Sequence, residues 1–100
     1  MTLRVKHIVV WRLKDQPSVA DNARRAKALL EGLAGRIPGL RHIEVGINFV
    51  DDQNAADIVL YSEFENRAAL ESYQRHPLHL EVVPHIKAMA TERRSVDYEY

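Results

Sequence analysis

From residue 3 the chain alternates. Leu3, Val5, His7, Val9, Trp11 and Leu13 fall on one side of an extended segment, and Arg4, Lys6, Ile8, Val10 and Arg12 on the other. The first side is apolar apart from His7. The second is basic at its ends and apolar at Ile8 and Val10, so both faces of this strand need cover at its centre. Asp15-Gln16-Pro17 reads as a turn, and Ser18 followed by Asp21 resembles a capping box. The period then changes. Val19, Ala23, Ala26, Leu30, Leu33 and Ile37 recur at spacings of four and three, one buried stripe of an amphipathic helix. Arg24, Arg25, Lys27, Glu31 and Arg36 lie largely off that stripe. Gly35 and the I-P-G of residues 37–39 are expected to end the helix.

Alternation returns over residues 40–49, with Ile43, Val45, Ile47 and Phe49 on one face and His42, Glu44, Gly46 and Asn48 on the other. Gly46 leaves room for a bulge or a neighbouring ring. The polar loop Asp51-Asp52-Gln53-Asn54 is short enough for a hairpin to a third strand over 57–64, where Ile58, Leu60 and Phe64 oppose Val59 and Tyr61. Asn66 suits the cap of a helix containing Ala69, Leu70 and Tyr73. After Pro77, His79, Val83, Ile86 and Ala90 share a face. Pro84 removes a hydrogen bond to Leu80 and predicts a kink or an end there. Residues 93–100 alternate again, with Val96, Tyr98 and Tyr100 expected inward.

The order is β-α-β-β-α(α)-β. It predicts an α+β, ferredoxin-like fold with a four-stranded antiparallel sheet and helices on one face. The other face carries Ile8 and Val10, and a second copy packed sheet to sheet would close it into a barrel-like homodimer. A chain of 100 residues is expected to be one domain, 1–100.

Composition narrows the function classes. Fourteen basic and fourteen acidic residues cancel, so neither nucleic acid nor an anionic membrane is the expected partner. There is no cysteine, hence no disulfide and no thiolate metal site. The first ten residues are too charged for a signal peptide and no apolar run approaches membrane length, so a cytoplasmic location is expected.

The chemistry concentrates in S-Y-Q-R-H-P-L-H-L-E-V-V, residues 72–83. On one straight helix Tyr73 and His79 would sit about 240° apart and could not aim at one point. His76 precedes a proline and is pushed out of the helical region, while Pro77 suits the first turn of a new helix. Two helices meeting at His76-Pro77 let Tyr73 and His79 converge. A histidine at the third position of the new helix feels the positive end of its dipole, which lowers its pKa and keeps the ring a base at neutral pH. A phenol beside it can donate or relay a proton. His7 on the apolar strand face suits either a hydrogen-bonded core histidine or a wall of the same cavity. His76 suits an N-cap or hinge better than a catalyst. His76 and His79 have the spacing of a metal pair, with His7 or Glu81 as third ligand, but the break at Pro77 disturbs it, and no metal is expected. Arg93 and Arg94 read as charge on solvated faces or a dimer rim.

The segments K-H-I-V-V-W-R-L-K, I-P-G-L with E-V-G-I-N, F-E-N-R-A-A-L-E-S-Y and Y-Q-R-H-P-L-H together resemble the stress-responsive dimeric α/β-barrel family over nearly the whole chain. The resemblance implies a homodimer of ferredoxin-like subunits. Most members lack a settled activity. One plant branch closes linear polyketides by a cofactor-free aldol-type reaction. What that branch implies here is an acid–base pair of Tyr73 and His79, with His7 lining the pocket. The substrate does not carry over, because the helices look bacterial rather than plant-like.

The expectation is therefore a dimeric protein binding a small apolar or aromatic molecule without a cofactor. The pocket would be lined by His7, Val9, Trp11, His76 and Val83, and the acid–base chemistry would rest on Tyr73 and His79. Two other readings stay open. One is a non-enzymatic stress-response dimer, which requires a filled core. The other is a cofactor-free monooxygenase, which requires oxygen uptake with an electron-rich phenol.

Overall fold

The computed structural model describes residues 3–100. Its elements are β1 (Val5–Leu13), α1 (Val19–Glu31), β2 (Leu40–Ile47), β3 (Ile58–Phe64), α2 (Arg67–Arg75), α3 (Pro77–Met89) and β4 (Ala90–Glu99). The strands form one antiparallel sheet in the order β2-β3-β1-β4. This is the ferredoxin-like βαββαβ arrangement. The helices cover the face that carries Val5, Val9, Trp11, Leu60 and Phe64, and the apolar core lies between. No helix among the described residues is long and apolar enough to cross a membrane.

Local chemistry explains the element ends. Ser18 Oγ accepts the Asp21 N–H, but Asp21 does not return the bond; its carboxylate pairs with Arg24 instead. Buried Asn22 donates to the carbonyls of Lys14 and Gln16, tying the β1–α1 turn to the helix. α1 is shorter than the apolar stripe suggests. It ends at Glu31 with Gly32 as C-cap, and Leu33 and Ile37 reach the core from turns. The chain then needs left-handed backbone, at Gly35 with φ 74° and Gly39 with φ 83°. A Cβ on Gly39 would also lie 2.6 Å from the Ala69 Cβ, so this turn packs directly on α2.

Edge strand β2 is latched by α1. Lys27 Nζ donates to the Val45 carbonyl and to Glu31, and Glu31 accepts the Val45 N–H, at 2.7, 2.7 and 2.9 Å. The Lys27 ammonium, then the Val45 amide, hold the Glu31 carboxyl below its ordinary pKa. These residues satisfy backbone groups that an exposed edge would leave open.

Three expectations are corrected. Phe49 is 96% exposed, because β2 stops at Ile47 and the chain leaves the sheet. Pro84 does not end α3, which continues to Met89; Leu80, the residue whose carbonyl would have accepted its N–H, is exposed, so water can take that acceptor. Val96, Tyr98 and Tyr100 do not face the helices. The register sets Val96 beside Ile8 and Tyr98 beside Lys6 on the open face, where they are 54% and 44% exposed.

Candidate functional site

The break between α2 and α3 builds the site. His76 adopts extended backbone, φ −64° and ψ 134°, and serves both helices. Its N–H donates to the Tyr73 carbonyl, and its Nδ1 accepts the Leu78 N–H at 3.1 Å. His76 is thus the cap between the helices and does not line the cavity described below. The reason is chemical: the first turn of α3 has free N–H groups, and the imidazole answers one of them.

Pro77 opens α3 and places His79 in its first turn, back over the end of α2. The ring centroids of Tyr73 and His79 lie 4.3 Å apart with a tilt of 37°. The two side chains meet, as the proline argument requires, but as stacked rings. Neither hydrogen-bonds the other. His79 Nδ1 lies 3.4 Å from the Gln74 carbonyl, one of the acceptors orphaned at the end of α2. A carbonyl only accepts, so this contact puts the proton on Nδ1 and leaves Nε2 as the acceptor. Burial lowers the His79 pKa; the Gln74 carbonyl pulls the other way, and His7 and His76 add smaller lowerings. The direction matches the sequence expectation, but desolvation, not the helix dipole, leads it.

Tyr73 is only 1% exposed and packs against Phe64 at 4.9 Å between ring centroids. Its hydroxyl has no hydrogen-bond partner, alone among buried side-chain nitrogen and oxygen atoms of the described residues. Burial pushes the phenol up to about 12, so it stays protonated at neutral pH.

His7 is also buried, its ring 6.3 Å from that of Tyr73. Nδ1 of His7 donates to the Asp97 carboxylate, and the His7 carbonyl accepts the buried Ser62 hydroxyl at 2.8 Å. Sequence reasoning singled out neither Asp97 nor Ser62. Asp97 sits on the side of β4 that the alternation predicts to face outward, and only the β1–β4 register brings it opposite His7.

A cavity of about 340 Å³ runs between the sheet and α3. His7, Tyr73 and His79 line one part of it, and Val9, Trp11 and Val83 line the apolar body together with Leu30, Leu60 and Ile86. Lys87 and Arg93 complete the wall. The space is therefore open rather than packed solid. Among the described residues no three His, Cys, Asp or Glu side chains cluster in the manner of a metal site.

A ferredoxin-like subunit with an apolar cavity beneath a broken second helical segment is the class that this fold and this site define. Residues 5–100 match the family described as Stress responsive A/B Barrel Domain, and the chain belongs to that family. Among solved structures it is similar to a dimeric protein of unknown function and ferredoxin-like fold from Bacteroides fragilis, at 33% identity and TM-score 0.84, over 97% of this chain and 96% of that one. A dimeric ferredoxin-like protein of unknown function from Thermobifida fusca matches at 21% identity and TM-score 0.87, over 100% and 93%. The hydroxynitrile lyase of Passiflora edulis matches at 20% identity and TM-score 0.84, over 97% and 93%. The last two are likenesses of fold. No curated protein matches the chain.

Proposed function

We propose that this protein binds a small apolar or aromatic carbonyl compound in the cavity and performs cofactor-free acid–base chemistry on it. The observation that carries the reading is the Tyr73 hydroxyl, buried and unpartnered on a ring that lines the cavity. Such a group costs stability unless a ligand answers it. The half-buried His79 beside it supplies a base at neutral pH.

In this mechanism His79 Nε2 takes a proton from the carbon next to a carbonyl. The C–H electron pair becomes the enolate double bond, and charge gathers on the carbonyl oxygen. The Tyr73 hydroxyl donates a hydrogen bond to that oxygen. The enolate carbon attacks a second carbonyl of the same molecule, a C–C bond forms, and the proton on His79 passes to the new alkoxide. His7, held by Asp97 and Ser62, fixes the wall against which the ligand is oriented.

The protein acts as a homodimer in this reading. Ile8, Val10 and Val96 form an apolar strip on the open face of the sheet, flanked by Arg94 and by the half-exposed Tyr98, and two relatives of the same fold are dimeric. A second copy packed sheet to sheet would bury that strip.

A thermal-shift screen of aromatic and aliphatic carbonyl compounds tests the site, with the parent compared with His79→Ala and Tyr73→Phe. Hits shared by the parent and lost in both variants support it. For a hit bearing an enolisable ketone, deuterium uptake next to the carbonyl should be faster with the parent than with His79→Ala. Equal shifts and equal exchange in all three proteins would overturn the reading.

A further inference from the structure

The two ends of the cavity differ in charge. Along the sheet, the register sets Asp97 opposite His7 and Arg93 opposite Trp11. Those pairs are four positions apart on one face, about 13 Å at the rise of a strand. Along α3, His79 and Lys87 are eight positions apart, about 12 Å at the rise of a helix. α3 leads directly into β4, which runs back beneath it, so Lys87 and Arg93 share the end where the chain reverses. Tyr73, His79 and His7 share the other, with Asp97 behind His7 and outside the lining.

Among the described residues no carboxylate meets the two cations. Among the described residues neither Lys87 nor Arg93 forms an ion pair, and Arg93 makes one side-chain contact, at 3.5 Å to the Ser95 hydroxyl. The acids further along the same face of β4 are engaged, Asp97 with His7 and Glu99 with Arg67. Glu81 of α3 lines a separate groove against α1.

We propose that the ligand carries a monoanionic group, a carboxylate in the simplest case, at the end remote from its reacting carbonyl, and that Lys87 and Arg93 receive it. This rests on the reading that the cavity binds a small molecule. The apolar body of the ligand lies along Val9, Val83 and Ile86. Both cations are exposed at the mouth, so the anion stays partly hydrated while the body is buried. The pair then acts as a selector of which end enters first, and its attraction weakens with salt.

The test measures calorimetric affinities of phenylbutyrate and phenylhexanoate against their primary amides. The parent should bind the longer acid about tenfold tighter than its amide, the scale of charge-assisted pairing at a partly exposed site. Raising NaCl should narrow that gap. In Lys87→Gln/Arg93→Gln the gap should close while the amide affinity is kept. In Lys87→Glu/Arg93→Glu the preference should pass to phenylhexylamine. Both positions are exposed, so the variants should fold. Equal binding of acid and amide by the parent, or an acid preference that survives both double variants, would overturn this inference and leave the cavity reading standing. Failure of these probes and of every carbonyl compound in the screen would remove both.

Discussion

Asp97 accepts a hydrogen bond from Nδ1 of His7, its cross-strand neighbour on the β1–β4 pair. A carboxylate only accepts, so the proton of this contact sits on Nδ1 and the other ring nitrogen, Nε2, is left to the cavity wall. Ser62 pins the same residue from the backbone side. His7 is thus held at two points by groups from both neighbouring strands, and its ring is a fixed part of the wall.

Asp97→Ala should release that ring. The side chain of His7 is 6% exposed and that of Asp97 42%, so water can replace the acceptor only from the outer side. The expected loss is about 1 kcal/mol, less than for a fully buried charged hydrogen bond. Nitrogen NMR of the His7 ring should show one tautomer in the parent and a mixture in the variant. A single tautomer in both would mean that Asp97 does not orient the ring.

Tyr73→Phe should stabilise the empty protein. It deletes a buried hydroxyl that has no partner while keeping the ring that packs on Phe64. Removing an unsatisfied polar group of this kind is worth about 1 kcal/mol, or about 5 °C in Tm for a chain of this size. The same variant should lose the ligand-induced shift. A destabilised Tyr73→Phe would show that the hydroxyl already has a partner in solution, such as a bound water.

The pH dependence follows from His79. Its folded pKa lies below the unfolded reference of 6.5, because burial disfavours the charged ring and His7 and His76 add to the effect. Between those values the unfolded chain binds more protons than the folded one, so stability rises with pH there. Full stability is present above 6.5 and is lost as pH falls toward the lowered folded value. Urea midpoints at about pH 7.5 and about pH 5.5 should therefore differ more in the parent than in His79→Gln. Glu31 and Glu63, also lowered but from 4.5, act in a more acidic window. An identical pH response in both proteins would remove His79 as the titrating group.

Much of this was legible in the chain. The switch from period two to period three-and-a-half and back marks each strand and helix. The meeting of Tyr73 and His79 follows from Pro77 alone, because proline dictates both where one helix stops and where the next begins. What was not legible depends on pairing. Alternation shows that Val96 and Tyr98 share a face, but not which face, and both possible faces of this sheet are apolar at the centre. Taking them as inward hid Asp97, which alternates with them, and left Arg93 on a rim. His76 reads as a cap or hinge before a catalyst, but nothing in the sequence keeps it out of the pocket wall until the Leu78 N–H is placed. Phe49 looked like one more strand residue because nothing local marks the departure of β2 from the sheet after Ile47.

The open sheet face yields the last prediction. Val96 is 54% exposed in the single chain, beside Ile8 and Val10, and it touches none of the core between sheet and helices. For an isolated subunit Val96→Glu is a surface change, worth within about 0.5 kcal/mol. In a sheet-to-sheet dimer the same change buries a carboxylate from each subunit without a partner, which costs several times more. Sedimentation equilibrium should therefore find a dimer for the parent and a monomer for Val96→Glu, with far-UV circular dichroism unchanged. Because the cavity lies on the helical side of the sheet, the monomer should still bind ligand through Tyr73 and His79. A variant that remains dimeric would place the contact on another surface, with the exposed Phe49 and Val50 the next to substitute.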